Sequence, residues 1–178
     1  MDLVFNSRRS FFGMLAGIAA VFPGASELIA QQVPHNGGTG ADSHHGPASH
    51  IHNGVFYFSG IGSNDGYGPD ARISVTDSFD RHVTRTMDTL KKTVEHAGSN
   101  MDSITNLHVF ICLPNADNVQ HPIGKARFDA YQTEYETLNK IYRTYFSPGK
   151  APARCCMAVD WIPGNSLIEV VGSAMVLK

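Results

Sequence analysis

Two stretches of the chain repeat apolar residues at alternating spacings of three and four, the period of one face of a helix. Val83, Met87, Leu90, Val94 and Ala97 form the first stripe. Asp77 or Ser78 is placed to cap its start and Gly98 to end it. Phe128, Tyr131, Tyr135, Leu138, Tyr142 and Tyr145 form the second, which PGKAP (148–152) breaks. An aromatic stripe of this kind packs into a core more often than it stacks on a ligand, so it is read as core. Between the stripes, ITNLHVFICL (104–113) is a short apolar run that predicts a buried strand. Upstream, ASHIH and VFYFS flank Asn53-Gly54, the pair that a type I′ turn prefers, and predict a hairpin over 48–59. RCCMAVDWI (154–162) and LIEVVGSAMVL (167–177) predict two closing strands. Pro163-Gly164-Asn165 between them looks like the turn of a second hairpin.

The order is ββαβαββ. One mixed sheet with both helices on one face would bury both stripes, giving an α+β two-layer sandwich with right-handed β-α-β crossovers. That arrangement leaves the other face of the sheet bare, which predicts self-association.

Composition narrows the class. A chain of 178 residues with 42% hydrophobic and 17% charged residues suits one globular domain. Its net charge of −2 gives no basic footprint, so nucleic acid is not an expected partner. The first thirty residues do not fit the domain. Arg8-Arg9 precede FFGMLAGIAAVF (11–22), an apolar run of 12 residues. A membrane-spanning helix needs about 17–25 residues. The flanks match an export signal, and SRRSFF resembles the twin-arginine pattern. Residues 1–30 therefore read as a twin-arginine signal peptide, with cleavage near 27–31 and no membrane anchor afterwards. Residues 31–46, rich in Gly and His, read as a flexible tether, and residues 47–178 as the folded domain. The expected location is periplasmic or secreted, reached through the twin-arginine machinery.

Chemistry concentrates near the end. In APARCC (151–156) a lone arginine stands where a strand begins. Arg154 is permanently charged and planar, suited to a two-pronged grip on a carboxylate, and bringing it to a core edge requires some anion to meet it. Glu169 interrupts the apolar run LIEVV, so it needs a partner and is a candidate general acid/base. In a hairpin of the last two strands the two residues stand near opposite ends of the ladder. They could meet within one subunit or across an interface, and an Arg154–Glu169 structural ion pair is the plainer alternative. Cys155 and Cys156 point to opposite faces of a strand and read as small buried hydrophobes, one of them near a site.

FSG (58–60), AGSNMDSITNLHVFI (97–111), LNKIYRTYF (138–146), PARCC (152–156) and SLIEVVGSAMV (166–176) together resemble the Rid family, the reactive intermediate deaminases once labelled L-PSP endoribonucleases. The resemblance covers roughly residues 46–178, and its most specific part is PAR followed fifteen residues later by a strand glutamate. It implies a chorismate mutase-like fold and a homotrimer whose sheets line a central barrel, with sites at the subunit interfaces. It also implies Arg154 as the substrate-carboxylate residue, Glu169 as the water-positioning residue, and Cys156, Asn139 and Ser59 at the substrate. The implied activity is cofactor-free hydrolysis of 2-imino and 2-enamino acids to 2-keto acids and ammonia. Two features depart from the family pattern: Ala48 follows Gly46-Pro47 where many deaminases carry a tyrosine, and the segment 115–128 is longer than usual. Both concern the pocket wall and so the identity of the substrate.

Histidine supplies a competing signal. His35, His44, His45, His50 and His52 crowd one region, and His50 and His52 share a strand face. No Asp, Glu or Cys stands beside them as a clear further ligand, so a solvated tether is preferred to a metal site. Two other function classes remain beside the deaminase: a non-catalytic Rid-like binder of small carboxylated metabolites, and an endoribonuclease, which the missing basic patch disfavours.

Overall fold

The computed structural model describes residues 49–114 and 122–177. The signal, the tether and most of the long segment before the second helix lie outside the described residues. The elements follow the expected order: β1 (Ser49–His52), β2 (Val55–Gly62), α1 (Phe79–His96), β3 (Ile104–Cys112), α2 (Gly124–Tyr142), β4 (Ala153–Val159) and β5 (Ile168–Met175). The first turn forms as its residues require. Asn53 and Gly54 take φ of 50° and 77° between antiparallel β1 and β2.

The sheet is mixed, in the order β1-β2-β5-β3-β4. β5 runs antiparallel to both β2 and β3, and β4 runs parallel to β3 at the far edge. The closing hairpin expected around Pro163-Gly164-Asn165 is therefore absent, because β3 lies between β4 and β5. A crossover through α2 delivers β4 parallel to β3. The one remaining slot, between β2 and β3, must be filled by β5. Residues 163–165 form a 3₁₀ turn within that longer connection.

Alternation decides the faces. Phe56, Phe58, Ile61, Leu107, Val109, Ile111, Ile168, Val170 and Ala174 are buried and point toward the helices. The intervening residues Tyr57, His108, Phe110, Glu169, Val171 and Ser173 lie on the other face, which none of the described elements covers. Gly172 has a packing reason. A Cβ there would lie 2.3 Å from the Asn106 carbonyl oxygen, so any side chain would push β5 off β3.

Helix α1 buries its whole stripe, with Val83, Met87, Leu90 and Val94 each at 0% exposure. Ser78 occupies its N-cap position, but neither expected side chain caps the helix. The Asp77 carboxylate instead accepts from the Ser74 N–H at 2.8 Å and pairs with Arg81. Gly98 follows the helix at positive φ, as expected.

A buried polar knot ties α1 to the sheet. The His82 Nε2–H donates to the Ser74 carbonyl at 2.9 Å, and the Ser63 hydroxyl donates to His82 Nδ1 at 2.7 Å. The Ser63 N–H donates to Ser166 Oγ at 3.0 Å, and the Ser166 hydroxyl donates to the Ile168 carbonyl at 2.5 Å. Each buried polar atom of this group thereby finds a partner, and the start of β5 is fixed.

Candidate functional site

Strand β4 has only one neighbour among the described strands, so its helix-facing side chains Arg154, Cys156 and Ala158 lie at the edge of the described sheet under α2. Small side chains there are matched from above by the aromatic half of α2. Too little volume remains to close the layer. The result is a groove of about 360 Å³ lined by Ile111, Phe128, Tyr131, Gln132, Tyr135, Cys156 and Ala158. This corrects the reading of the second stripe as core. Leu138 and Tyr142 are buried, but Phe128 is 66% exposed and Tyr135 is 41% exposed.

Arg154 stands next to this groove, joined to it through the wall residue Tyr135 and two residues from Cys156. Its Nη2 donates to Asn139 Oδ1 at 2.5 Å and to the Tyr135 hydroxyl at 3.3 Å. The guanidinium lies 4.5 Å from the Tyr142 ring centroid and 5.5 Å from that of Tyr135, within cation–π range. Helical spacing explains the cradle: Tyr135, Asn139 and Tyr142 are four and three residues apart, so they share the face that meets Arg154. Asn139 was expected at the site; Tyr135 and Tyr142 were not, although the same spacing would have placed them there.

No described residue neutralises the charge of Arg154. None of the described carboxylates lies within ion-pair distance of it. Its Nη1 is buried with no hydrogen-bond partner among the described residues, and so is the Tyr142 hydroxyl. Burial pushes the Tyr142 phenol up to about 12, against the opposing pull of Arg154, so this group stays neutral and supplies no counter-ion. A half-buried guanidinium with one arm held and no described carboxylate beside it is suited to meet an anion.

Glu169 stands on the other face of the sheet. It pairs in register with Phe110 and with Gly62, whereas Arg154 pairs with Leu107 on the helix side. One protomer therefore does not bring the two together, and their structural ion pair does not form within it. Burial pushes the half-buried Glu169 carboxyl up, and the nearby Asp65 carboxylate adds to this. Asp65 is held in place, accepting from the Gly62 N–H at 2.6 Å. Nothing in the sequence pattern points to Asp65, because its proximity to Glu169 arises only from the β2–β5 pairing. Ser59 is exposed in the irregularity of β2 between Phe58 and Ile61, on the strand beside β5. It lies with Glu169 and apart from Arg154.

The cysteines divide. Cys156 is half-buried in the groove wall. Cys155 departs from the buried reading: it is exposed, 3.4 Å from His108 Nδ1, because none of the described elements packs over that side of the edge strand. His50 and His52 share that uncovered face with Tyr57 and Val55, and the His50 ring stacks on Tyr57. His35, His44 and His45 lie outside the described residues. None of the described helices is long and apolar enough to cross a membrane.

Solved structures share this fold. A Rid-family protein of unknown function from Yersinia pestis is 20% identical with a TM-score of 0.61, covering 83% of this chain and 99% of its own. An L-PSP protein from Entamoeba histolytica is 24% identical with a TM-score of 0.54, covering 78% and 90%. A YjgF-family protein from Neisseria meningitidis is 12% identical with a TM-score of 0.52, covering 75% and 88%. The fold is that of the Rid and YjgF proteins. No family model matches the sequence.

Proposed function

We propose that the protein is a Rid-type hydrolase that converts reactive 2-imino and 2-enamino acids into 2-keto acids and ammonia without a cofactor. One observation carries this reading: the Arg154 guanidinium, braced by Asn139 and Tyr135, keeps a buried N–H free and has no carboxylate beside it among the described residues. A substrate carboxylate would complete its coordination. The imine carbon would then lie beside the Cys156 segment of β4. Water adds to the C=N bond, the resulting carbinolamine gives up ammonia, and the carbonyl forms. An acid/base group must take a proton from the water and deliver protons to nitrogen. Glu169 suits this role because its raised pKa eases proton return.

Since Arg154 and Glu169 face opposite sides of the sheet, the mechanism requires a second subunit to supply the glutamate. This favours a homotrimer with interfacial sites, which would also cover the bare face carrying Tyr57, Met157 and Met175. The same separation favours a second reading, in which the Arg154 site alone makes a non-catalytic binder of small carboxylates. We also propose export of the protein through the twin-arginine route, on the strength of Arg8-Arg9 and the apolar run after them.

The decisive experiment measures pyruvate affinity and 2-iminopropionate hydrolysis in Arg154→Lys and Glu169→Gln. Lysine should bind poorly, because a point charge does not reproduce the fork. Glu169→Gln should bind pyruvate while losing roughly 10²–10⁴ in rate. Normal hydrolysis by Glu169→Gln would leave the binder as the better reading.

A further inference from the structure

The groove running from Tyr135 and Cys156, beside Arg154, toward Phe128 has no use in the hydrolysis of a small imine. Its volume of about 360 Å³ greatly exceeds what a methyl side chain fills. An apolar cavity of roughly 150 Å³ already holds benzene. The groove is continuous with the carboxylate receptor, because Tyr135 both lines it and accepts from Arg154 through its hydroxyl oxygen, and Cys156 lies two residues beyond Arg154 on the same face of β4. Beyond Tyr135 its surroundings are polar: Arg154 Nη1 and the hydroxyl of Tyr142, which is 6% exposed, have no hydrogen-bond partner among the described residues. Its far end is apolar and aromatic, with Phe128 and Tyr131 over Ala158. The walls are held: the Tyr131 hydroxyl donates to the Val159 carbonyl at 2.8 Å, and Arg127 pairs with Asp160.

We propose that this groove selects 2-imino acids with a large apolar, above all aromatic, side chain. The inference rests on the Arg154 reading given above and names the substrate class of that site. With the carboxylate on Arg154, the substrate's side chain runs along β4 between Cys156 and Ala158 below and the rings of Tyr135, Tyr131 and Phe128 above. An aromatic ring there gains buried apolar contact and edge or face packing with three rings. A methyl group leaves the groove wet. Phe128 sets the preference most directly, since it stands farthest from Arg154, where only a long side chain reaches.

Calorimetric titration of the protein with phenylpyruvate and with pyruvate tests this without relying on turnover. A single methylene in such a pocket is worth about 10-fold or more. Phenylpyruvate should therefore bind at least about 10-fold tighter than pyruvate, and Phe128→Ala should shrink that ratio severalfold. Equal affinities for the two acids, with pyruvate binding lost in Arg154→Ala, would overturn the groove's role and leave the carboxylate receptor standing. An unchanged ratio in Phe128→Ala would overturn that role too, as when another part of the chain or a second copy fills the groove. Failure of both acids to bind would overturn the receptor together with the groove.

Discussion

Helices α1 and α2 carry stripes of almost the same spacing, yet α1 builds the core and half of α2 becomes the wall of a groove. The difference lies beneath them. α1 rests on β2 and β5, inside the sheet, where Phe56, Phe58 and Val170 rise to meet its aliphatic stripe. α2 rests on β3 and the edge strand β4, whose helix-facing residues are an arginine, a cysteine and an alanine. Leu138 still reaches core at its C-terminal half. Toward its N-terminus, bulky rings stand over small residues, and the gap stays open. Helical periodicity reports that a face is apolar; the strand beneath decides whether that face is core or site.

Arg154→Ala should produce the largest effect on the site region. Removing the charged fork beside the groove should weaken pyruvate binding by about 10²–10³-fold, the scale for truncating one partner of a buried hydrogen-bonded charge pair. The melting temperature should change little, because the variant loses a charge that has no counter-ion among the described residues. If Arg154→Ala instead melts several degrees lower and binds pyruvate normally, the α2 side is scaffold and the contrast between the helices fails.

Leu90→Ala is the matching test on the α1 side. Leu90 is fully buried, and truncating it should cost about 2–5 kcal/mol in denaturant unfolding. In whatever protein remains folded, pyruvate affinity should stay within a few-fold of the original. Loss of affinity at full stability would mean that α1 serves the site directly.

A smaller effect should follow pH. His82 has its pKa held below the usual histidine value, chiefly by burial, with Arg85 and Arg81 adding to this; the Ser74 carbonyl and Asp77 oppose it. Between that lowered value and about 6.5, the unfolded chain takes up a proton that the folded chain refuses. Stability should therefore be fully present above about pH 6.5 and decline as the pH falls through this window. His82→Gln should flatten that part of the profile, read from urea midpoints between pH 7.5 and 5.5. An unchanged slope would show that the Ser63–His82–Ser166 knot tolerates the charged ring.

Much of this architecture was legible because its signals are local. The Asn53-Gly54 turn, the two stripes and the Gly98 and PGKAP breaks each act within a few residues, and each element appeared where they placed it. The strand order was not legible. Whether β5 pairs with β4 or enters between β2 and β3 depends on contacts far apart in sequence, and Pro163-Gly164-Asn165 reads equally well as a hairpin turn. That single misplacement also hid the geometry of the site. With β4 and β5 as neighbours, Arg154 and Glu169 look like ends of one ladder; with β3 between them and the side-chain parity resolved, they occupy opposite faces. Arg154 and Asn139 were visible as chemistry. The free space beside them was not, because a void depends on the sizes of residues that meet only in three dimensions.

The smallest expected effect is the sharpest test of the contrast. Phe128 belongs to the same helical pattern as Leu138, and by periodicity alone its removal should cost a core-sized penalty of about 3–5 kcal/mol. In the structure it is 66% exposed on a groove wall. Phe128→Ala should then shift unfolding stability by no more than about 0.5 kcal/mol, the range of an ordinary surface change. Exposed aromatic surface also carries a penalty in water, so the variant has little packing to lose and some hydration to regain. Chemical denaturation of Phe128→Ala and Leu138→Ala in parallel makes the comparison internal to one helix. A large loss for Leu138→Ala and a negligible one for Phe128→Ala divides α2 into a core half and a site half. Equal large losses would mean that the stripe is buried along its whole length, as its spacing first suggested, and that the groove is closed in solution.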